Sequence, residues 1–162
     1  MQIVTLTLHP ALDKSTTTPY IAPDHKLRCT VPQIDAGGGG INVSKGIHRL
    51  GGQSTAVFPI GGHTGRLLRD LVEQAGIATQ TLEVPGETRE SLSVTESGNN
   101  SQYRFTMAGA GMTEAQADQC LDLVAALQPE WLVVGGSLPA GLPENYLEKV
   151  ADRSKKMGAK LV

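Results

Sequence analysis

The chain has 162 residues, 40% of them hydrophobic and 19% charged, with a formal net charge of −2. That balance supports one globular domain with a packed core rather than a disordered chain. It also excludes a broad nucleic-acid or membrane-surface binder, which needs a cationic excess.

Residues 2–8 read as a buried strand that stops at His9-Pro10, where proline ends the ladder. Residues 14–20 and 27–34 alternate loosely and predict a pair of short strands. A run of four glycines, Gly37 to Gly40, follows, and Val43, Ile47 and Leu50 at helical spacing predict a helix over 41–50 that Gly51-Gly52 stops. Residues 54–60 predict the next strand, 64–75 a helix ending at Gly76, and 77–84 another strand. This β-α-β-α rhythm is the mark of a parallel sheet with helical crossovers. It breaks at 88–107, where Leu92 and Val94 alternate with Ser91, Ser93 and Thr95. After the turn Gly98-Asn99-Asn100, Tyr103, Phe105 and Met107 alternate with Gln102, Arg104 and Thr106. That pattern predicts an antiparallel hairpin with one apolar face; with 14–34 it forms a small lid. The rhythm resumes with a helix capped by Thr113 and Gln116, a strand at Trp131–Val134, and a helix that Pro143 starts and Gly158 ends. Lys160-Leu161-Val162 reads as the opening of one more strand, so the chain is expected to be the N-terminal portion of a longer domain.

Two sequence-distant cysteines, Cys29 and Cys120, and four histidines, His9, His25, His48 and His63, show no metal-ligand spacing. Two such thiols are expected to be reduced core residues of a cytoplasmic protein. The N-terminus has no basic stretch ahead of its apolar residues, unlike a signal peptide, and no segment approaches the ~20 apolar residues of a membrane span.

The glycine run carries the first chemical signal. Backbone amides at a helix N-terminus converge on a ligand, and without Cβ atoms the ligand can approach the main chain. Gly37-Gly38-Gly39-Gly40-Ile41-Asn42 is not a dinucleotide fingerprint, because Asn42 stands where the last glycine belongs. Nor is it a phosphate-binding P-loop, because no Gly-Lys-Ser/Thr follows. Asn42 can donate to a sugar hydroxyl or cap the helix. Asp13, just past the first strand, can accept two hydroxyl hydrogen bonds or close a turn. Lys26, Arg28, Arg89 and Arg104 fall on the lid segments and have the chemistry to bind phosphate, although a lone surface cation is usually only solvated. Ser137 sits at a strand end within Gly135-Gly136-Ser137.

In this order the segments resemble the PfkB, or ribokinase-like, family of carbohydrate kinases. Gly37 to Asn42 match the family's Gly-Gly-x-Gly-x-Asn, Leu8 to Asp13 its Leu-x-Pro-x-Leu-Asp, and Gly136 to Gly141 its Gly-Ser-Leu-Pro-x-Gly. The resemblance implies an α/β ribokinase-like parallel sheet with flanking helices and a small antiparallel β lid, truncated here. Residues 1–162 would be the N-terminal portion of a single domain, with lid segments at about 14–34 and 88–108. Lys26-Leu27-Arg28 and Tyr103-Arg104-Phe105 fit the family's phosphosugar branch, and Gly37-Gly38-Gly39-Gly40-Ile41-Asn42 with Lys26-Leu27-Arg28 is most similar to the minor, ribokinase-type 6-phosphofructokinase branch. The runner-up is the 1-phosphofructokinase and tagatose-6-phosphate kinase branch, which carries Lys where Gly39 stands.

By that resemblance, Asp13, Gly37, Gly38, Gly39, Asn42 and Ser137 hold the sugar and Lys26, Arg28, Arg89 and Arg104 its phosphate. The intact protein uses ATP and Mg²⁺ and pairs as a homodimer through the lid. The family's Gly-Ala-Gly-Asp, whose Asp is the general base, has no match in this chain, and its Asn-x-x-Glu, which organises Mg²⁺, belongs beyond Val162 in the family order. The chain is therefore expected to be inactive alone, as a sugar-phosphate-binding or dimerisation fragment.

Overall fold

The computed structural model describes residues 2–162. Along the chain lie β1 (Ile3–Leu6), β2 (Ala11–Thr18), β3 (Gln33–Gly37), α1 (Gly39–Arg49), β4 (Thr55–Ile60), α2 (Gly62–Gln74) and β5 (Ala78–Glu83). They are followed by β6 (Arg89–Glu96), β7 (Ser101–Thr106), α3 (Glu114–Ala126), β8 (Trp131–Val134), α4 (Tyr146–Met157) and β9 (Lys160–Leu161). The main sheet runs β5-β4-β1-β8-β9 and all its pairs are parallel.

The alternation in β1 builds two different layers. Val4, Leu6 and Leu8 point into one core with Met112, Leu121, Val124, Leu132, Tyr146 and Val150, beneath α3 and α4. Thr5 and Thr7 face the other way, toward α1. There the Thr5 hydroxyl meets that of Ser44 at 2.8 Å, and the Thr7 hydroxyl accepts from the Ile41 amide at 3.1 Å. A second core of Leu12, Ile41, Ala56, Phe58, Ile60, Leu68, Val72 and Ile77 fills the space under α1 and α2. Hydroxyl pairing keeps these buried polar groups satisfied, which is the condition for burying them at all.

The second sheet runs β3-β2-β6-β7. β3 and β7 pair antiparallel with their neighbours, but the central pair β2/β6 is parallel, so the lid is mixed rather than purely antiparallel. Its strands also differ from the 14–20 and 27–34 expectation. β2 begins three residues earlier, and 19–32 is a connection rather than a strand. Pro19, Pro23 and Pro32 interrupt the ladder there, and Thr30 is pinned back onto β2, its amide donating to the Thr17 carbonyl at 3.0 Å. α1 starts at Gly39, inside the glycine run and two residues ahead of expectation, because Thr7 supplies the cap that no local side chain does. α4 starts at Tyr146 rather than Pro143, after a turn closed by the Tyr146 amide on the Pro143 carbonyl at 3.0 Å. The Thr113/Gln116 capping box forms as expected, and Gly158 ends α4. Cys120 is buried in the core, where desolvation pushes its thiol up to about 12; Cys29 is exposed, contrary to a core placement.

Two glycine segments meet where β1, β8 and α1 converge. A Cβ on Gly39 would stand 2.5 Å from the Gly135 carbonyl carbon and the Gly136 amide; one on Gly135 would stand 2.8 Å from the Gly39 carbonyl carbon and the Gly40 amide. The Gly135 amide donates to Leu6 at 3.1 Å, and its carbonyl accepts from Gly40 at 3.4 Å. Backbone packs on backbone here, so neither partner can swing aside.

Gly39→Ala is accordingly expected to lower the unfolding free energy by about 1–3 kcal/mol, as overpacking does, read from urea denaturation. A second prediction concerns pH. Burial alone would raise Asp118, but hydrogen bonds from Lys149 (2.7 Å) and Tyr146 (3.0 Å) and the charges of Lys149 and Arg153 bring its carboxyl below the ordinary 3.8. A depressed carboxyl stabilises the fold above its unfolded value and loses that contribution as pH falls through the folded one. The thermal midpoint of Asp118→Asn should therefore depend less steeply on pH below about 4 than that of the unaltered chain.

Candidate functional site

The register of the second sheet gathers charged residues from distant parts of the chain. Asp13 on β2 lies opposite Asp35 on β3 and beside Ser91 on β6. Arg89 is two residues before Ser91, and Ser93 lies opposite Arg104 on β7. Because successive side chains alternate between faces, Asp13, Asp35, Arg89, Ser91, Ser93 and Arg104 share one face. They line an open cleft of about 410 Å³. The opposite face carries Leu92, Val94, Tyr103 and Phe105, with Val94 buried and Tyr103 and Phe105 39% and 52% exposed.

Gly37 opens the space for Asp13. A Cβ on Gly37 would stand 2.1 Å from Oδ2 of Asp13, so the carboxylate occupies the volume of the missing side chain. Desolvation raises the Asp13 carboxyl above its ordinary value. The positive charges of Arg89 and Lys45 and a hydrogen bond with Ser91 pull it back in part, while the Asp35 charge adds to the rise. Lys45 itself donates to the Ala36 carbonyl from the second turn of α1.

The β1–β2 corner connects this sheet to the main one. Nη2 of Arg89 donates to the His9 carbonyl at 3.3 Å, and Nδ1 of His9 is 3.0 Å from the Ser137 hydroxyl. Nε of Arg89 is buried with no partner among the described residues. Desolvation, then the Arg89 charge, lowers the His9 pKa and keeps the ring neutral at physiological pH. Gly38, the residue before α1, has φ 136° and packs against the Thr7 methyl group. Asn42 is exposed on the first turn, and the cap of α1 is made by Thr7. The side-chain amide of Asn42 is therefore not the helix cap.

Of the residues singled out in the sequence, the structure brings Asp13, Arg89 and Arg104 to the cleft and sets Gly37 against the Asp13 carboxylate. Gly38, Gly39, Asn42 and Ser137 lie at the neighbouring strand ends. Lys26 and Arg28 are exposed on the 19–32 connection and do not line it. The Arg28 carbonyl accepts from Thr18 at the far end of β2, five residues from Asp13 and so roughly 17 Å away along the strand. Asp35, Lys45, Ser91 and His9 were not picked out in the sequence. Strand pairing brings Asp35 and Ser91 to Asp13, α1 brings Lys45 and the β1–β2 corner brings His9 to Arg89; Ser91 alone had a signal, as the polar side of the 88–97 alternation.

A second cavity of about 450 Å³ lies at the opposite, amino ends of the strands, lined by Gln2, His48, Gln53, Thr55 and Gly76. Ligands of open α/β sheets bind at the carboxyl ends, and the convergent charges are there. Among the described residues, no three His, Cys, Asp or Glu side chains converge to hold a metal ion.

Comparison with known proteins agrees with this architecture. Residues 10–162 match the pfkB family carbohydrate kinase family. The chain is 44% identical over 163 residues to an ATP-dependent 6-phosphofructokinase isozyme 2 of Mycobacterium tuberculosis, covering 99% of this chain and 48% of that protein. It is 30% identical over 164 residues to a 1-phosphofructokinase of Xanthomonas campestris, covering 100% and 52%. The crystal structure of phosphofructokinase-2 from Escherichia coli in complex with fructose-6-phosphate superposes with a TM-score of 0.91 at 41% identity, covering 99% of this chain and 54% of that one. The chain thus spans about half the length of the relatives it matches. With its α/β architecture, its glycine-opened helix and a match over nearly its whole length, the chain belongs to the pfkB family of carbohydrate kinases.

Proposed function

We propose that this chain carries the sugar-phosphate half of an ATP-dependent kinase that converts fructose 6-phosphate to fructose 1,6-bisphosphate, a step of glycolysis in the cytoplasm. The strongest support is the strand register that places the Asp13 carboxylate and the Arg89 and Arg104 guanidiniums around one cleft beside the glycine-opened helix. A phosphosugar presents hydroxyl donors and a dianion. The carboxylate accepts from the first, and guanidiniums hold the second through charge-assisted pairs. Asp13, Gly37, Gly38, Gly39, Asn42 and Ser137 would contact the sugar, and Arg89 and Arg104 the phosphate; Lys26 and Arg28, which stand outside this cleft, are not assigned to it. Holding the sugar in one orientation is the part of phosphoryl transfer that these residues supply.

ATP and Mg²⁺ are the co-substrate and metal proposed for the intact protein. Among the described residues no three His, Cys, Asp or Glu side chains converge, and none of them is assigned to either group. We further propose that residues 1–162 are one portion of a single ribokinase-like domain with its lid at about 14–34 and 88–108, and that the protein is a homodimer through that lid. Exposed Tyr103, Phe105 and Met107 offer an apolar patch for the pairing. A second reading, phosphorylation of fructose 1-phosphate or tagatose 6-phosphate, draws on the likeness to 1-phosphofructokinase.

Titration of the 162-residue chain with fructose 6-phosphate, followed by calorimetry, tests the substrate. Arg89→Ala should weaken binding about ten- to a hundredfold, the loss of one charge-assisted contact, and leave binding of unphosphorylated fructose nearly unchanged. An equal effect on both sugars would remove the phosphate role, and tighter binding of fructose 1-phosphate would favour the second reading. In the ligand-free chain, the Asp13 carboxyl should titrate above 3.8 by NMR, and higher still in Arg89→Ala, because a lowering charge is gone. With MgATP and fructose 6-phosphate, the purified chain alone should release no fructose 1,6-bisphosphate.

A further inference from the structure

We propose that His9 is a positioning residue that couples the two halves of the cleft, tying the loop after β8 to the arginine of the second sheet. This rests on the sugar-phosphate reading above and adds a residue to it. His9 occupies an open position of the Leu-x-Pro-x-Leu-Asp element, so that motif does not itself require an imidazole there.

The geometry is a relay through one residue. The His9 backbone carbonyl receives the Arg89 guanidinium at 3.3 Å, and its ring nitrogen Nδ1 sits 3.0 Å from the Ser137 hydroxyl. The two contacts belong to different layers: Arg89 opens β6 of the second sheet, and Ser137 follows β8 of the main sheet. Pro10 comes next, and its ring fixes φ just past the anchor. Ser137 is exposed and has no other side-chain hydrogen bond among the described residues, so its hydroxyl direction depends on this ring. Arg89 is under-satisfied: among the described residues Nε is buried without a partner, and the His9 carbonyl is the one hydrogen-bond acceptor its guanidinium meets. A shift of the β1–β2 corner therefore moves the hydroxyl and the guanidinium together. The neutral state of the ring, kept by desolvation and by Arg89, leaves the cleft without an added cation beside the guanidinium.

Losing one such hydrogen bond should weaken fructose 6-phosphate binding to the 162-residue chain about five- to tenfold in His9→Ala. His9→Asn places an amide near the position of Nδ1 and should restore affinity to within about twofold. In a Ser137→Ala background, His9→Ala should have no further effect, because both act through one contact. A ligand-free reading accompanies these: the ¹⁵N shift of His9 Nδ1 should move in Ser137→Ala. Equal affinity of His9→Ala and the unaltered chain overturns the proposal, as does an additive loss in the double variant. If His9→Ala does not fold, the Nδ1 shift decides, and an unmoved shift overturns the proposal. If the unaltered chain binds no fructose 6-phosphate, the substrate reading fails and the positioning role falls with it. That outcome differs from binding that persists unchanged in His9→Ala, which sinks the His9 role alone.

Discussion

The structure depends on one close approach: the backbone of Gly39 against that of Gly135 and Gly136, with the Gly135 amide on the Leu6 carbonyl. Three elements meet at that point, the exits of β1 and β8 and the first turn of α1. Side chains cannot adjust such a contact, because none are present; only the backbones set its distance. A layered α/β domain leaves its strand ends and helix starts at one edge, and this contact keeps that edge narrow. Thr7, at the same place, supplies its hydroxyl to the Ile41 amide, so that the helix starts where the glycines need it to start. The second sheet is attached through the same corner, since β2 follows β1 after only a few residues.

From that corner the charged face follows by register. Once Ala11 pairs with Gly37 on one side and Arg89 on the other, the period of two places Asp13 between Asp35 and Ser91 and puts Arg104 beyond Ser93. A slip of β2 by one residue would turn the Asp13 carboxylate to the far face and bring Leu12 toward the cleft. The apolar packing of Leu12 and Ala36 into the core under α1 and α2 opposes that slip. Core burial and site assembly are thus one constraint. The hydrophobic face of the sheet specifies where its polar face points.

The electrostatics have the same origin. Asp13 is flanked by a like charge at Asp35 and opposite charges at Arg89 and Lys45, and desolvation outweighs their net pull. Among the described residues, Arg89 keeps a buried, unpaired Nε and a single carbonyl partner. Leaving such a donor unmade is costly in a folded protein, and an anionic ligand would relieve it. The Lys149–Asp118–Tyr146 cluster on the other side of the sheet is different: its groups satisfy one another, and it joins α3 to α4.

Much of the architecture was legible in the sequence because it is local. The strand of residues 2–8, the helix after the glycine run, the Thr113 and Gln116 cap, the strand at Trp131–Val134 and the hairpin of 89–106 each follow from spacing within a few residues. The glycine run and Asn42 likewise excluded the dinucleotide and P-loop patterns by their own order. What tertiary structure alone decided is non-local. The pairing of β2 with β6 as parallel neighbours joins segments about eighty residues apart, and no periodicity records a partner. The prolines of 19–32 removed a strand that loose alternation had implied, and placed Lys26 and Arg28 outside the cleft that Arg89 and Arg104 line. Asp35, Lys45 and His9 near Asp13 and Arg89 were invisible for the same reason: each is an ordinary residue until a strand register or a corner brings it within reach. The sequence by itself determined the elements and the kind of chemistry. Which side chains stand together was decided by backbone pairing and by the glycine contact from which the second sheet extends.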